Sequence, residues 1–389
     1  MNKNILKSNS SFMVIGKSPA WLPTNYESGR LFSLTQAVGF EFQSNKLKTR
    51  QLGYQHYSSD VDYQTPQANL SLDYYFSPYL NNELLMGFNV SGVSGIPCLS
   101  GFKNKNYNFY FLSNEDDFVD GFTEIRKATG LQNWSDGEAI CFGNCHLESY
   151  ALSIGLGSVP KVSVKFKASN VAAETLRTGT TGTAPYIQIP ALDPYSGKLQ
   201  TGALYNYRSL SFSGGNITGD PQLRNDYNPP VALPHTSTFA ITSKSISDDL
   251  VSPLKNFKNP ILQSCNINLN FERADLYNFG NDSVCDRKLQ FPINIVIQTE
   301  SIVSGFNTTT ENTRDLTGSA TTNNKENLYD LNFSFSNEIK SVTGFYSFRN
   351  AKLTSLNYST QVNNIYNMSA QFSVNATEYG DFYMGRIQK

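Results

Sequence analysis

LTQAVGFEFQSNKLKTRQLG (residues 34–53) and ILQSCNINLNFERADLYNFG (residues 261–280) share one layout at an offset of 227 residues. Gln36 meets Gln263, Gly53 meets Gly280, and Val38, Phe40 and Phe42 meet Cys265, Ile267 and Leu269. Each stretch alternates apolar and polar residues with period two, the mark of a strand with one buried face, and ends at a turn-forming glycine. One such pair arises readily in any β-rich chain. The reading therefore turns on whether the next elements recur as well.

They do. After each glycine come a polar run, a proline and a second alternating stretch, TPQANLSLDYYF from Thr65 and QFPINIVIQTES from Gln290. Aligned on the proline, the alternation is displaced by one residue, with Ala68, Leu70 and Leu72 against Ile293, Ile295 and Ile297. A loop or bulge is expected to take up the difference. When the alternating residues themselves are matched, Ala68 with Ile293, Thr299 and Glu300 stand where the first copy has Tyr74 and Tyr75.

The firmest match is LESYALSIGLGSVPKVSVKFKA from Leu147, which lies without gaps on LTSLNYSTQVNNIYNMSAQFSV from Leu353. Leu147, Ser149, Ser153, Ser163 and Phe166 recur as Leu353, Ser355, Ser359, Ser369 and Phe372, and both stretches read as a hairpin of alternating strands. Between these blocks, NYNFYFLSNEDD from Asn106 resembles LYDLNFSFSNEI from Leu328.

Blocks in one order at similar spacing imply two copies of one β-domain. The expected fold is mainly β, with two tandem β-sandwich domains and short helices. An N-terminal arm occupies 1–32, the first domain 33–171, a Gly/Pro/Thr-rich insertion or linker 172–257, and the second domain with a C-terminal tail 258–389. Short helices are expected at SNEDDFVDGFTEIRKATG, where acids precede Arg126 and Lys127, and at SNVAAETLRTG from Ser169.

The composition agrees and excludes several functions. A chain of 389 residues has room for two cores, and 13% aromatics favour half-buried strands. A formal charge of −1 with only 16% charged residues lacks the basic footprint of a protein that grips nucleic acid. The N-terminal MNKNILKSNSSFMVIGKSPAW is interrupted by polar residues every few positions, unlike a signal peptide, and no apolar run approaches the ~20 residues of a membrane span. A soluble protein is expected.

Cys98, Cys141, Cys145, Cys265 and Cys285 are odd in number and share no spacing between the copies, which reads as reduced thiols made in a cytoplasm. Cys141, Cys145 and His146 lie close together, but a closed zinc site needs four ligands and no second pair stands at finger spacing. No metal or cofactor is expected. His56, His146 and His235 sit beside no nucleophile elbow, and phosphate loops, zinc-protease motifs and dinucleotide fingerprints are all missing from the sequence. The carboxylates of NEDDFVD have nothing to fix their separation, so the chain is not read as an enzyme.

LTQAVGFEFQSNKLKTRQLG, TPQANLSLDYYF and NNELLMGF, continued by NFYFLSNEDDFVDGF and HLESYALSIGLGSVPKVSVKFKAS, resemble the tail-tube type of virion structural proteins of tailed bacteriophages. The resemblance covers the two repeats and not the central insertion. It implies sandwich subunits that assemble into six-fold rings and stack as a hollow tube conducting the genome. With two domains per chain, it implies homotrimeric rings of pseudo-six-fold symmetry. The implied partners are further copies of the chain, tape-measure and other tail proteins, and phage DNA passing non-specifically through the lumen. The implied location is the virion tail, after synthesis in the host cytoplasm.

A lumen of acids or neutral polar groups would let DNA slide rather than stick. Asp60 and Asp62 in YSSDVDYQTP, and Asp282 and Asp286 in NDSVCDRK, occupy the matching inter-strand loop of each copy and are candidates for ring-to-ring contact or the lumen rim. Two alternatives remain open. One is another tail ring component, such as a baseplate hub, distal ring or terminator. The other is a tail-tip receptor-binding protein whose Tyr74, Tyr75, Trp134 and Tyr205 stack on sugars.

Overall fold

The computed structural model describes residues 11–17, 30–32, 34–43, 46–49, 52, 59–62, 67–90, 96–114, 136–156, 158–168, 170–177, 186–188, 191–192, 199–200, 204–206, 238–243, 261–277, 284–302, 328–336, 342–359 and 367–388. They are almost all strand.

In chain order the first group comprises β1 (Ser11–Lys17), β2 (Arg30–Leu31), β3 (Thr35–Gln43), β4 (Lys46–Thr49), β5 (Ser59–Asp62), β6 (Gln67–Tyr75), the short helix α1 (Asn81–Leu85), β7 (Tyr107–Asn114), β8 (Asp136–Gly155), β9 (Lys161–Ala168) and β10 (Asn170–Arg177). Two small ladders follow, β11 (Tyr186–Gln188) with β14 (Leu204–Asn206), and β12 (Ala191–Leu192) with β13 (Leu199–Gln200). The second group comprises β15 (Thr238–Ser243), β16 (Ile261–Asn270), β17 (Arg273–Tyr277), β18 (Val284–Leu289), β19 (Ile293–Ile302), β20 (Leu328–Ser336), β21 (Val342–Ser359), β22 (Asn367–Ala376) and β23 (Phe382–Gln388).

The two groups pair in the same order. β3–β6–β9 leads to the C-terminal half of β8, whose N-terminal half carries β7, then β1, on one side and β10 on the other. In the second group β16–β19–β22 leads to the C-terminal half of β21, whose N-terminal half carries β20, then β15, on one side and β23 on the other. The hairpin β4–β5 joins β3 to β6 as the hairpin β17–β18 joins β16 to β19. All ladders between these strands are antiparallel.

β1 lies in the stretch read as an N-terminal arm, and β15 in the stretch read as a linker; both are outer strands of the sheet. β10 was expected as a helix from the sequence SNVAAETLRTG. It is a strand because the open flank of β8 offers its backbone eight consecutive antiparallel partners, Asn170 opposite Gly143 through Arg177 opposite Asp136, which outweighs modest helix propensity. The helix expected at 113–130 falls largely outside the described residues; its first two positions, Ser113 and Asn114, close β7.

β8 and β21 are long because each serves two layers. Midway along them Asn144 and Asn350 adopt left-handed backbone angles, φ 52° and 57°, which asparagine tolerates better than other side-chain-bearing residues. Each exposed amide is captured by a side chain of the neighbouring strand, Asn144 N–H by Asn108 Oδ1 (3.0 Å) and Asn350 N–H by Asp330 Oδ1 (3.3 Å). The kink turns the strand out of one layer into the other. The layers then pack face to face, with Phe109 and Phe166 rings 4.5 Å apart in the first group and Tyr329 and Phe372 rings 5.9 Å apart in the second.

Register makes the equivalence residue by residue. Bulges fall at Gln36 and Gln263, at Glu148 and Thr354, and at Asn108 and Asp330. Leu70 and Ile297 both lie opposite the Phe166/Phe372 pair, so the second strand keeps the 227-residue offset and is not displaced by one. The displacement belongs to the proline: Pro292 sits in the bend just before β19, and Pro66 lies outside the described residues. Ser301 and Ile302, rather than Thr299 and Glu300, therefore stand in the places of Tyr74 and Tyr75.

Candidate assembly interface

The two groups meet along one seam. β16 lies antiparallel on the C-terminal half of β8, from Ser264 opposite Gly155 to Asn270 opposite Ser149, and so fuses both halves into the eight-strand run β3–β6–β9–β8–β16–β19–β22–β21. Its core-facing residues close over one another: Cys265, Ile267 and Leu269 on one strand, Tyr150, Leu152 and Ile154 on the other, all buried.

Two further pieces clamp the seam from opposite directions. The base of the β17–β18 hairpin reaches onto the first group, where Arg273 Nε donates to the Leu147 carbonyl (3.3 Å) and Arg287 Nη1 to the Lys167 carbonyl (3.3 Å). Asp275 bridges Arg287 Nε (3.1 Å) and Lys167 Nζ (2.8 Å). Arg287 is buried, so its charge is tolerable only with this carboxylate and carbonyl beside it. His146 is buried near the same cations. Burial, then the Arg273 and Arg287 charges, push its imidazole well below the ordinary histidine range, and it is neutral at pH 7.

In the other direction, residues 76–90 and 96–101 of the first group lie on the second. Phe76 packs on Phe335 and Tyr346. Cys98 N–H donates to the Phe382 carbonyl (2.9 Å), and Arg386 Nη1 donates to the Tyr79 carbonyl (3.2 Å) and to Asn81 Oδ1 (3.3 Å). Gly344 is required here by close approach, since a Cβ on it would sit 2.7 Å from the Pro78 carbonyl oxygen.

Under this strap lies a buried polar cluster. Glu83 on α1 accepts hydrogen bonds from Tyr74 (2.7 Å) and Tyr150 (3.1 Å), and the Tyr150 hydroxyl also shares a 2.9 Å bond with that of Tyr346 from the second group. Burial, reinforced by the nearby Glu83 charge, holds all three phenols well above their ordinary range, so they remain proton donors. The sequence gives no local signal for this cluster; its members come together only through the topology.

The opposite face of the eight-strand run is polar. In the second group it presents Asn266, Asn268, Asn270, Asn294, Gln298 and Gln371, with Glu300 the acid among them. In the first group β9 adds Lys161, Lys165 and Lys167, of which Lys161 is paired with Asp73 (2.8 Å) and Lys167 with Asp275. Burial raises the Asp73 carboxyl, but hydrogen bonds from Lys161 and Ser163 outweigh it and hold the group below the usual carboxylate range.

The residues singled out in the sequence distribute as follows. Gln36 and Gln263 are the bulge residues of β3 and β16. Asp60 and Asp62 lie on β5 and Asp286 on β18, in hairpins at the same end of the two groups. Register sets Asp60 level with Arg287 rather than with Asp286, so the hairpins carry opposite charges at equivalent positions. Gly53, Gly280 and Asp282 lie outside the described residues. Cys98, Cys145 and Cys265 are buried thiols whose ionisation burial disfavours, and among the described residues no three His, Cys, Asp or Glu side chains converge as metal ligands.

No protein-family profile matches the chain, and no curated protein does. Among solved structures it is similar to a chain of the anti-feeding prophage (AFP) baseplate, solved by cryo-EM with 6-fold symmetrisation, at 11% identity and a TM-score of 0.27 over 40% of this chain and 95% of that one. It is also similar to Hcp1 from Flavobacterium johnsoniae, at 12% identity and a TM-score of 0.21 over 40% of this chain and 100% of that one.

Proposed function

We propose that this chain is a structural subunit of a phage-tail-like particle, assembling into stacked rings that form the tail tube. The observation that carries this is the seam itself: two equivalent strand groups joined edge to edge by β8 and β16, in an order that, among the described residues, leaves β3 open at one end and the C-terminal half of β21 at the other. A head-to-tail contact of this kind closes into a ring when the rotation per step divides a full turn. Three chains, each supplying two equivalent groups, make a ring of pseudo-six-fold symmetry.

In such a ring the eight-strand runs line the lumen, and closure removes open edges that otherwise invite aggregation. The amide-rich, nearly charge-balanced polar face suits a wall along which duplex DNA slides, because it offers phosphates few unpaired cations. Tape-measure and other tail proteins are the expected neighbours. A hub or distal ring uses the same seam, and copy number per particle separates it from a tube.

The test is electron microscopy of the purified chain and of the native particle with rotational symmetry analysis. Stacked hollow rings of three chains are expected. A chain that stays monomeric at high concentration and occurs only at a particle tip refutes the reading.

A further inference from the structure

The internal seam is a template against which the chain's two open ends can be compared position by position. In the second group Cys265, Ile267 and Leu269 are closed over by β8, and Phe333, Tyr346 and Phe382 are buried in the core against which the strap (76–90 and 96–101) packs. The register equivalents in the first group are Val38, Phe40, Phe42, Phe111, Ile140 and Val171. Phe40 is 55% and Phe42 60% exposed, against 0% for Ile267 and 2% for Leu269, and the other four are only partly buried.

Phe40 and Phe42 are not solvent-face residues by register. They stand opposite Leu70 and Ala68, both in the core, so they point to the apolar side of the sheet and lack a cover. The six form one surface: Phe40 lies 5.9 Å from Phe142, Phe142 is the cross-strand partner of Val171, and Ile140 is that of Phe111.

The far end shows the complementary deficit. Leu353 and Leu356 on β21 are half-buried, whereas their equivalents are fully buried: Tyr150, which stands opposite Leu269 of β16, and Leu147 just beyond that ladder. Among the described residues β3 pairs only with β6, and the C-terminal half of β21 only with β22. Among the described residues each chain thus carries both halves of a second seam at opposite ends of its sheet, which a second copy can join.

We infer that β3 of one chain pairs antiparallel with the C-terminal half of β21 in a second copy of this chain, in the register of the β16–β8 seam. Phe42 then stands opposite Leu356, Glu41 opposite Asn357 and Phe40 opposite Tyr358. This rests on the ring reading and adds a register and a chemistry to it. The chemistry differs from that of the internal seam, because the positions of Tyr74, Tyr150 and Tyr346 are taken by Ser301, Leu356 and Ile140, and that of Lys167 by Ser373. The chain-to-chain seam is therefore held by apolar burial and backbone pairing, without the three-tyrosine cluster of the internal one.

The test is a pair of cysteines in the full-length chain, Glu41→Cys with Asn357→Cys, both at exposed positions on the polar face. Directly opposed residues of antiparallel strands have Cα atoms roughly 4.5–5.5 Å apart, within disulfide reach. A displaced pair, Glu41→Cys with Ser359→Cys, moves the partners to a diagonal of roughly 7–8 Å, at or beyond that reach. After oxidation of assembled protein, a ladder of covalently linked chains on a non-reducing gel is expected for the first pair and loss of that ladder for the second. Rings visible by microscopy with no ladder, or with equal ladders from both pairs, overturn the register and leave the ring reading standing. Monomers without rings or ladder overturn both.

Discussion

Glu83 is the residue whose replacement most sharply tests how the two strand groups are held together. Its carboxylate is 1% exposed and takes hydroxyl bonds of 2.7 Å from Tyr74 and 3.1 Å from Tyr150, while Tyr150 also reaches Tyr346 across the seam. Hydrogen bonds to a charged group contribute about 1.5–3 kcal/mol each, and a neutral acceptor about half of that. Glu83→Gln keeps an acceptor oxygen and is expected to destabilise the chain by about 1–2 kcal/mol. Glu83→Leu removes both bonds and leaves the Tyr74 hydroxyl buried without this partner, for a loss of about 3–5 kcal/mol. Urea unfolding followed by tyrosine fluorescence and by far-UV dichroism measures both values and tests whether the two groups unfold together. Leucine as stable as glutamate would refute the reasoning, because it would mean that desolvating the carboxylate cancels everything the hydroxyls return.

Other expectations follow from the same contacts. Gly344→Ala drives a Cβ to 2.7 Å from the Pro78 carbonyl, backbone against backbone, and is expected to cost about 1–3 kcal/mol in chemical denaturation. His146 has a folded-state pKa below its ordinary 6.5, so the unfolded chain binds the extra proton first: stability is intact above pH 6.5 and falls as pH drops below it. The slope is up to about 1.4 kcal/mol per pH unit, and it should flatten in His146→Gln when unfolding is compared between pH 7.5 and 5. Phe40→Ser, at a half-exposed position, is expected to cost about 1 kcal/mol in the monomer while abolishing ring formation in sedimentation. Ile267→Ser, at the buried equivalent, is expected to cost about 3–4 kcal/mol and to impair folding itself.

The repeat was legible because its signals are local. Alternation in 34–43 and 261–270, the Leu147 and Leu353 blocks, and the turn between paired strands all follow from a side-chain period of two. The strand pairing of the second alternating stretch was misaligned for a physical reason. Pro292 sits outside the ladder, where length is free to vary, and Pro66 lies outside the described residues, whereas Leu70 and Ile297 are held by cross-strand partners. β10 was misread because AAETL has helical composition, and only the vacant flank of β8, supplied by residues some 30 positions earlier, makes it a strand. Glu83 gave no warning at all. Its acid sits in NNELL, an unremarkable helix start, and its meaning depends on tyrosines at 74, 150 and 346. The left-handed Asn144 and Asn350 stand three residues before Leu147 and Leu353, outside the matched blocks, and nothing in their local sequence marks the bend they permit.

That bend makes β8 and β21 members of both layers. A single covalent strand running through two sheets is a tie rod: tension applied to the outer layer passes along peptide bonds into the inner one without relying on side-chain packing between them. Pulled along its length, such a strand yields only by shearing many rungs together, while a strand confined to one layer peels rung by rung. Two layers joined by such ties resist being pulled apart from each other.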